Sequence, residues 1–112
     1  MEQDKNSMME ELQVLEQHLQ SFLAQKQIIQ VEMQEVSNAL MELGKTRDDV
    51  YKILGAMMIK ADKDYLSKEL EEKKKLAQLR INSIEKQEKN IELRIEKLNK
   101  ELILKVDKEN KK

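Results

Sequence analysis

The sequence of 112 residues contains no cysteine, no proline and no tryptophan, and it has two glycines. Without cysteine the chain can form neither disulfides nor thiolate metal sites, and a reducing compartment is allowed. Aromatic residues make up 3%, too few for a conventional globular core of this size. The length leaves room for one domain, which we predict to span residues 1–112. A composition rich in Ala, Glu, Lys, Leu and Arg is typical of long helices or coiled coils.

The sequence also lacks a patch of one charge sign. Charged residues make up 38%, yet the net charge is −1 because acidic and basic residues are interleaved. Nucleic acid or an anionic membrane would require a surface of one sign, so neither is expected as a partner. The chain does not open with a secretory signal, and no apolar run is long enough to span a membrane. The sequence therefore predicts a cytoplasmic protein.

Apolar residues recur every three or four positions in the first part of the chain. This regular spacing argues against disorder and predicts a coiled-coil helix over residues 7–44, about 55 Å long. Ser7 followed by Glu10 has the spacing of a capping box, and Gly44 is the expected stop. Lys26 interrupts the predicted seam. The heptad d positions are Met8, Leu15, Phe22, Ile29, Val36 and Leu43, and the other a positions are Leu12, Leu19, Met33 and Leu40.

The last part of the chain repeats this pattern and predicts a second coil helix over residues 64–107. Asp64 is its expected N-cap, and pairs four residues apart, such as Glu69–Lys73, Glu96–Lys100 and Glu101–Lys105, support it. Lys74 and Glu88 interrupt the a row. The apolar seam positions are Leu70, Ala77, Ile84, Ile91 and Leu98 at d, with Ile81, Ile95 and Leu102 at a.

The two interruptions Lys26 and Glu88 lie almost symmetrically about residue 57. In an antiparallel pairing of the two helices, they fall in adjacent layers of the seam on opposite helices. Opposite charges placed in this way specify register and partner at some cost in stability. We therefore predict that the helices pair within one chain and run antiparallel.

Between the helices, residues 50–61 have the alternation of a β-hairpin, with Gly55-Ala56 suited to a type II′ turn. Both faces of this hairpin are mostly apolar, and a lone two-stranded hairpin is marginal in water. Its two edges also carry unpaired backbone groups. We therefore expect the hairpin to join sheet from other chains. The residues assigned to assembly are Val50, Tyr51, Ile53, Leu54, Met58 and Ile59.

Three segments in this order resemble the β-type subunit of prefoldin in its archaeal form. They are AQKQIIQVEMQEVSNALMEL, then DDVYKILGAMMIKADKDYLSKELEEK, then LRINSIEKQEKNIELRIEKL. The most specific part is VYK, the glycine, the second strand and the acidic start of the second helix. With a single hairpin, the chain resembles the β-type subunit rather than the longer α-type subunit, which has two. The double methionine Met57-Met58 departs from the family, which tends to place leucine or β-branched residues there.

The resemblance implies an assembly and an activity. Two α-type and four β-type subunits would join their hairpins in an inter-subunit β-barrel from which the coiled coils hang. The coil tips would hold unfolded client proteins and pass them to a group II chaperonin, without ATP or any other cofactor. At the tips, off-seam apolar residues could contact extended chains without requiring a sequence. The candidate client-binding residues are Met8, Met9, Leu12, Leu102, Ile103 and Val106.

Two other functions compete with this hypothesis. One is a parallel dimeric scaffold in which the central segment is only a break in the coil. The other is an RNA-binding helical arm, which the balanced charge disfavours. An enzyme is not expected, since no nucleophile and base can be paired from spacing. Gly44-Lys45-Thr46 lacks the earlier glycine of a phosphate-binding loop, and His18 falls on a solvated flank. The aspartates near the hairpin, Asp48, Asp49, Asp62 and Asp64, lack the spacing of a calcium loop, so no metal site is predicted.

Overall fold

The computed structural model describes residues 2–110 and the side chains of residues 4–108. Helix α1 (Glu2–Lys45) is followed by strands β1 (Val50–Leu54) and β2 (Met57–Ala61) and by helix α2 (Lys63–Asn110). The two strands form one antiparallel sheet. The predicted fold, two long helices with a single hairpin between them, is therefore confirmed. The predicted single domain also includes residues 1, 111 and 112, which lie outside the described residues.

Helix α1 is longer than the predicted span of 7–44. It begins at Glu2, so Ser7 lies exposed inside the helix and does not cap it. The residues before Ser7 include no glycine or proline that would stop a helix from extending. Gly44 is not the predicted stop, because its φ is not positive and the helix runs on to Lys45. The Thr46 N–H still donates to the Glu42 carbonyl at 3.0 Å.

Helix α2 also exceeds its predicted span of 64–107, and its start differs by one residue. Asp62 directly precedes the helix, and its carbonyl accepts the first helical hydrogen bond from Leu66 N–H at 2.9 Å. Asp62 is thus the N-cap residue, and Asp64 lies in the first turn. A carboxylate in the first turn still favours the helix, because the helix dipole is positive at this end.

The residues divide into two compact units. The first combines α1 up to Lys26 with α2 from Asn82 onward. Ile84 and Leu98 are buried in this unit. The Arg94 guanidinium binds both carboxylate oxygens of Glu11, at 2.9 and 3.2 Å. Because Lys26 also pairs with Glu88 and Asp4 with Lys105, the two helix segments lie side by side and antiparallel.

The second unit, Gln27–Ile81, contains the hairpin together with the helix segments that enter and leave it. Ile29, Leu43 and Ile81 form its buried core. The Lys63 ammonium donates to the Thr46 carbonyl at 2.9 Å and so joins the two ends that flank the hairpin. A cation beside the last carbonyls of α1 is also favoured by the helix dipole.

The predicted seam matches the observed burial residue by residue. Every a and d position assigned to α1 is buried or half-buried, and so is every one assigned to α2 except Lys74, which is exposed. The ion pairs predicted between residues four apart agree less well with the structure. Glu96 and Lys100 do pair at 3.2 Å, whereas Glu69 binds Lys52 and Lys105 binds Asp4.

Candidate functional site

The seam of the first unit contains an ion pair between Lys26 and Glu88. Lys26 Nζ lies 2.7 Å from Glu88 Oε1, and the two side chains are only 19% and 14% exposed. The hydrogen bond to Glu88 raises the pKa of Lys26. Partial burial opposes this shift, and the nearby charges of Glu88, Glu85 and Glu92 add to it. The pairing predicted from the two interruptions of the heptad pattern is thus present.

The hairpin has the predicted register. Leu54 lies opposite Met57, Lys52 opposite Ile59 and Tyr51 opposite Lys60. Gly55 has a φ of +59°, and no other residue of the described chain has a positive φ. A type I′ turn would require a positive φ at Ala56 as well, so the turn is of the II′ kind.

The two faces of the hairpin are largely exposed. Ile53 and Met58, which lie opposite each other on one face, are 69% and 68% exposed. Among the residues assigned to assembly, Tyr51, Leu54 and Ile59 are exposed as well, and Val50 is half-buried. Two adjacent strands therefore carry large apolar side chains on both faces without cover from this chain. Patches of this kind mark interaction sites.

The base of the hairpin is fixed to α2 by an ion pair. Lys52 Nζ lies 2.7 Å from Glu69 Oε1, and both side chains are about one third exposed. The hydrogen bond from Lys52 lowers the pKa of Glu69; burial opposes this shift, and the charges of Lys52 and Lys73 add to it. The second carboxylate oxygen of Glu69 is buried and has no partner.

The candidate tip residues lie at one end of the first unit. Lys105 Nζ comes within 3.8 Å of Asp4 Oδ2, so the start of α1 lies beside the end of α2. Met9, Ile103 and Val106 are exposed, whereas Met8, Leu12 and Leu102 are half-buried in the seam. The six candidates therefore fall into two groups, with three side chains available to a partner and three shared with helix pairing.

Two exposed apolar residues that adjoin the candidate surfaces are missing from the sequence-based candidates. Met57 lies opposite Leu54 at the hairpin turn, and Leu104 lies beside Ile103. Both are more than half exposed. Cross-strand pairing with Leu54 was the signal for Met57, and the off-seam heptad position was the signal for Leu104.

The remaining candidate motifs have structural roles. Asp48 N–H donates to Thr46 Oγ1 at 3.3 Å, and Lys60 Nζ lies 3.6 Å from Asp49 Oδ1. Within the described residues no group of three or more acidic, histidine or cysteine side chains is arranged to hold a metal. His18 is exposed on α1. Neither helix, over the same residues, has the length and hydropathy needed to cross a bilayer.

Comparison with known proteins identifies the family. The family model described as "Prefoldin subunit" matches residues 6–109, nearly the whole chain. The chain belongs to the prefoldin subunit family. The prefoldin subunit beta of Methanothrix thermoacetophila is 39% identical over 94 residues, which cover 82% of this chain and 78% of the relative. That of Thermococcus kodakarensis is 35% identical over 98 residues, which cover 86% and 84%.

A solved prefoldin structure has the same fold. The crystal structure of the prefoldin beta subunit from Thermococcus strain KS-1 superposes with a TM-score of 0.81 at 34% sequence identity. The match covers 88% of this chain and 89% of that chain. The resemblance to β-type prefoldin subunits is therefore confirmed. Prefoldin is a family of chaperones and not of enzymes.

Proposed function

We propose that this chain is a subunit of an ATP-independent chaperone that holds unfolded proteins. Its hairpin joins an inter-subunit β-barrel with an α-type prefoldin subunit and further β-type copies. Its coil tip captures unfolded clients, and the complex passes them to a group II chaperonin. Family membership supports the activity, and the word "subunit" in the names of the relatives supports assembly.

The observation that carries the proposal is the hairpin with two uncovered apolar faces. An isolated pair of strands buries too little surface to be stable in water, and both of its edges have unpaired backbone groups. Ile53, Met58 and Leu54 add more than half of their side-chain surface to this exposed area. Sheet from neighbouring subunits would cover these side chains and pair both edges.

The same observation disfavours the scaffold hypothesis. A parallel dimeric tether would treat residues 50–61 as a break in the coil, but this segment forms two paired strands. Such a tether would also pair each helix with another chain. In the first unit the helices instead pair with each other, through Glu11 with Arg94 and Lys26 with Glu88.

Client capture is assigned to the tip of the first unit. Met9, Ile103 and Leu104 are more than half exposed there, and none of them lies in the seam. Flexible apolar side chains of this kind can contact extended chains of varied sequence. The half-buried candidates Met8, Leu12 and Leu102 would add to this surface if the last turns of the coil fray.

Two measurements test the proposal. Native mass measurement of the chain, alone and mixed with an α-type prefoldin subunit, should give a defined hetero-oligomer. Deleting residues 1–9 and 103–112 should leave the number of subunits in the complex unchanged. The same deletion should abolish the suppression of client aggregation. A chain that stays monomeric in both samples contradicts the assembly role. A truncated complex that holds clients as well as the full one contradicts the tip assignment.

A further inference from the structure

In the second unit, exposed apolar side chains gather on one flank of the coil. Four such residues occupy heptad positions c and f, on the side of the helices away from positions b and e. Positions b and e of the same unit carry no large apolar side chain except Met41. A helix of a two-helix coil needs apolar residues only in its seam, so this flank carries more apolar residues than helix pairing requires. The four residues are Ile28, Val31, Leu76 and Leu79.

A groove of about 420 Å³ opens on this flank at Ala77. Ala77 occupies a d position of the seam, where its single methyl group fills less space than the larger residues at most other seam positions. Met33 and Val36 of α1 line the groove opposite Ala77, and Leu76 lines its outer part. Leu76 is 55% exposed. The short side chain thus leaves an apolar recess between the helices, which we call the Ala77 groove.

The two sides of the Ala77 groove carry opposite charges. Glu32 and Glu35 line it on α1, and Lys73 and Arg80 line it on α2. Among the residues that the structure describes, Glu32, Glu35 and Arg80 make no ion pair. Both walls therefore keep charged groups that a bound partner could use.

We infer that the Ala77 groove binds a segment of unfolded polypeptide. This inference rests on the proposed chaperone function and adds a second contact for the same client. An unfolded chain offers apolar side chains for the recess, and it carries both charge signs for the two walls. Nucleic acid and anionic lipid do not fit, because Glu32 and Glu35 would repel phosphate groups.

The substitution Ala77→Leu separates binding from stability. Leucine would fill the recess and bury more apolar surface in the seam, so the melting temperature should stay the same or rise. Binding should weaken, because the client loses the contact. The probe is fluorescein-labelled lysozyme that has been reduced and carboxymethylated so that it cannot refold. Titrated with the assembled complex, it should bind about tenfold more weakly, the loss expected when one aliphatic side chain is no longer buried.

A second variant covers the case in which leucine overpacks the seam and prevents folding. Leu76→Gln removes an exposed apolar side chain from the groove and leaves the seam intact, so it should also weaken binding of the probe. Met41→Gln is the matched control. Met41 is 59% exposed, slightly more than Leu76, but it lies at a b position and does not line the groove. Its substitution should leave the affinity unchanged.

Each result has a distinct reading. If Leu76→Gln and a folded Ala77→Leu complex bind the probe as tightly as the unsubstituted complex, the inference is wrong. If deletion of the tip alone then abolishes binding, the proposed function stands without the groove. If the groove variants instead change the mass of the complex in sedimentation, a second copy of the chain covers this flank and the inference is again wrong.

Discussion

The coil seam and the hairpin use the same kinds of apolar residue with opposite results. In the seam, Ile29 and Leu98 are almost completely covered by their own chain. In the hairpin, Ile53 and Met58 keep about two thirds of their surface exposed. The seam satisfies its residues because each helix supplies the partner of the other. The hairpin has two apolar faces and two open edges, and a single chain cannot cover both faces and pair both edges.

This difference separates what the chain does alone from what it does in an assembly. Substitutions in the seam should change the stability of the coil and leave the oligomer intact. Substitutions in the hairpin should change the oligomer and leave most of the helix content intact. The predictions below test this separation.

The largest effect is expected from Ile53→Asp combined with Ile59→Asp. Each change would place an unpaired carboxylate on a surface that the proposed assembly buries, which is strongly unfavourable. The oligomer should dissociate in native mass measurement, while circular dichroism retains most of the helical signal. The control combines Gln20→Asp with Gln30→Asp on exposed coil positions and should keep the full mass. An intact oligomer after both hairpin changes would contradict the role of the hairpin.

A smaller effect is expected from Leu98→Ala in the seam. Leu98 is 1% exposed, so its truncation leaves a cavity and should lower the free energy of unfolding by about 2–4 kcal/mol. Chemical denaturation measures this value. The matched control is Leu104→Ala on the same helix, which should change stability by less than about 0.5 kcal/mol because Leu104 is exposed. Equal losses for the two variants would mean that the seam is not the source of stability.

The ion pair Lys26–Glu88 should affect specificity more than stability. Lys26→Met leaves the Glu88 carboxylate without its partner in the seam and should lower the melting temperature. The double variant Lys26→Met with Glu88→Leu should recover or exceed the original melting temperature, because an apolar pair avoids the cost of desolvating charges. Spin labels at Gln13 and Asn99 would then report a broader distribution of distances, since the register marker is gone. An unchanged distribution would contradict the register role.

The smallest effect is the pH dependence of the ion pairs. Hydrogen bonds from Arg94 and Lys52 hold the pKa values of Glu11 and Glu69 below their usual 4.5. Their contribution is present above this value and is lost as the pH falls through the lower pKa of the folded state. Lys26 has the opposite sign, because its pKa is raised above 10.5 and its contribution is lost at high pH. Arg94→Gln should make the melting temperature fall less steeply as the pH is lowered into the acid range. An unchanged slope would exclude a contribution of the Glu11–Arg94 pair to stability.

Much of this fold could be predicted because its signals are local and periodic. The heptad positions identified the seam, and the two-residue turn at Gly55 fixed the hairpin register. The helix ends could not be predicted so well, because Ser7 and Gly44 match capping patterns that the longer helix does not use. The partners of Glu69 and Lys105 were also missed. A local rule pairs them within α2, but the folded chain brings Lys52 and Asp4 closer.

The tip and the groove differ in how much of each could be predicted from the sequence. The exposure of Ile103 and Val106 could be predicted because both lie outside the heptad seam. The Ala77 groove was not found, because Ala77 matches the seam pattern and only the packing of both helices reveals the space that it leaves. A pattern records which residues are apolar, but it does not record their volumes.

One lysine side chain binds the hairpin of the second unit to α2, and another joins the two chain ends that flank the hairpin. Lys52 reaches Glu69 on α2, and Lys63 reaches the Thr46 carbonyl after α1. Each contact is made by a single charge at the end of a flexible four-carbon chain, so it fixes a distance better than an angle. Salt also screens such partly exposed charges. The angle between the hairpin and the adjoining helix segments of the second unit should therefore depend on ionic strength, so that the surrounding salt tunes how stiffly this joint is held.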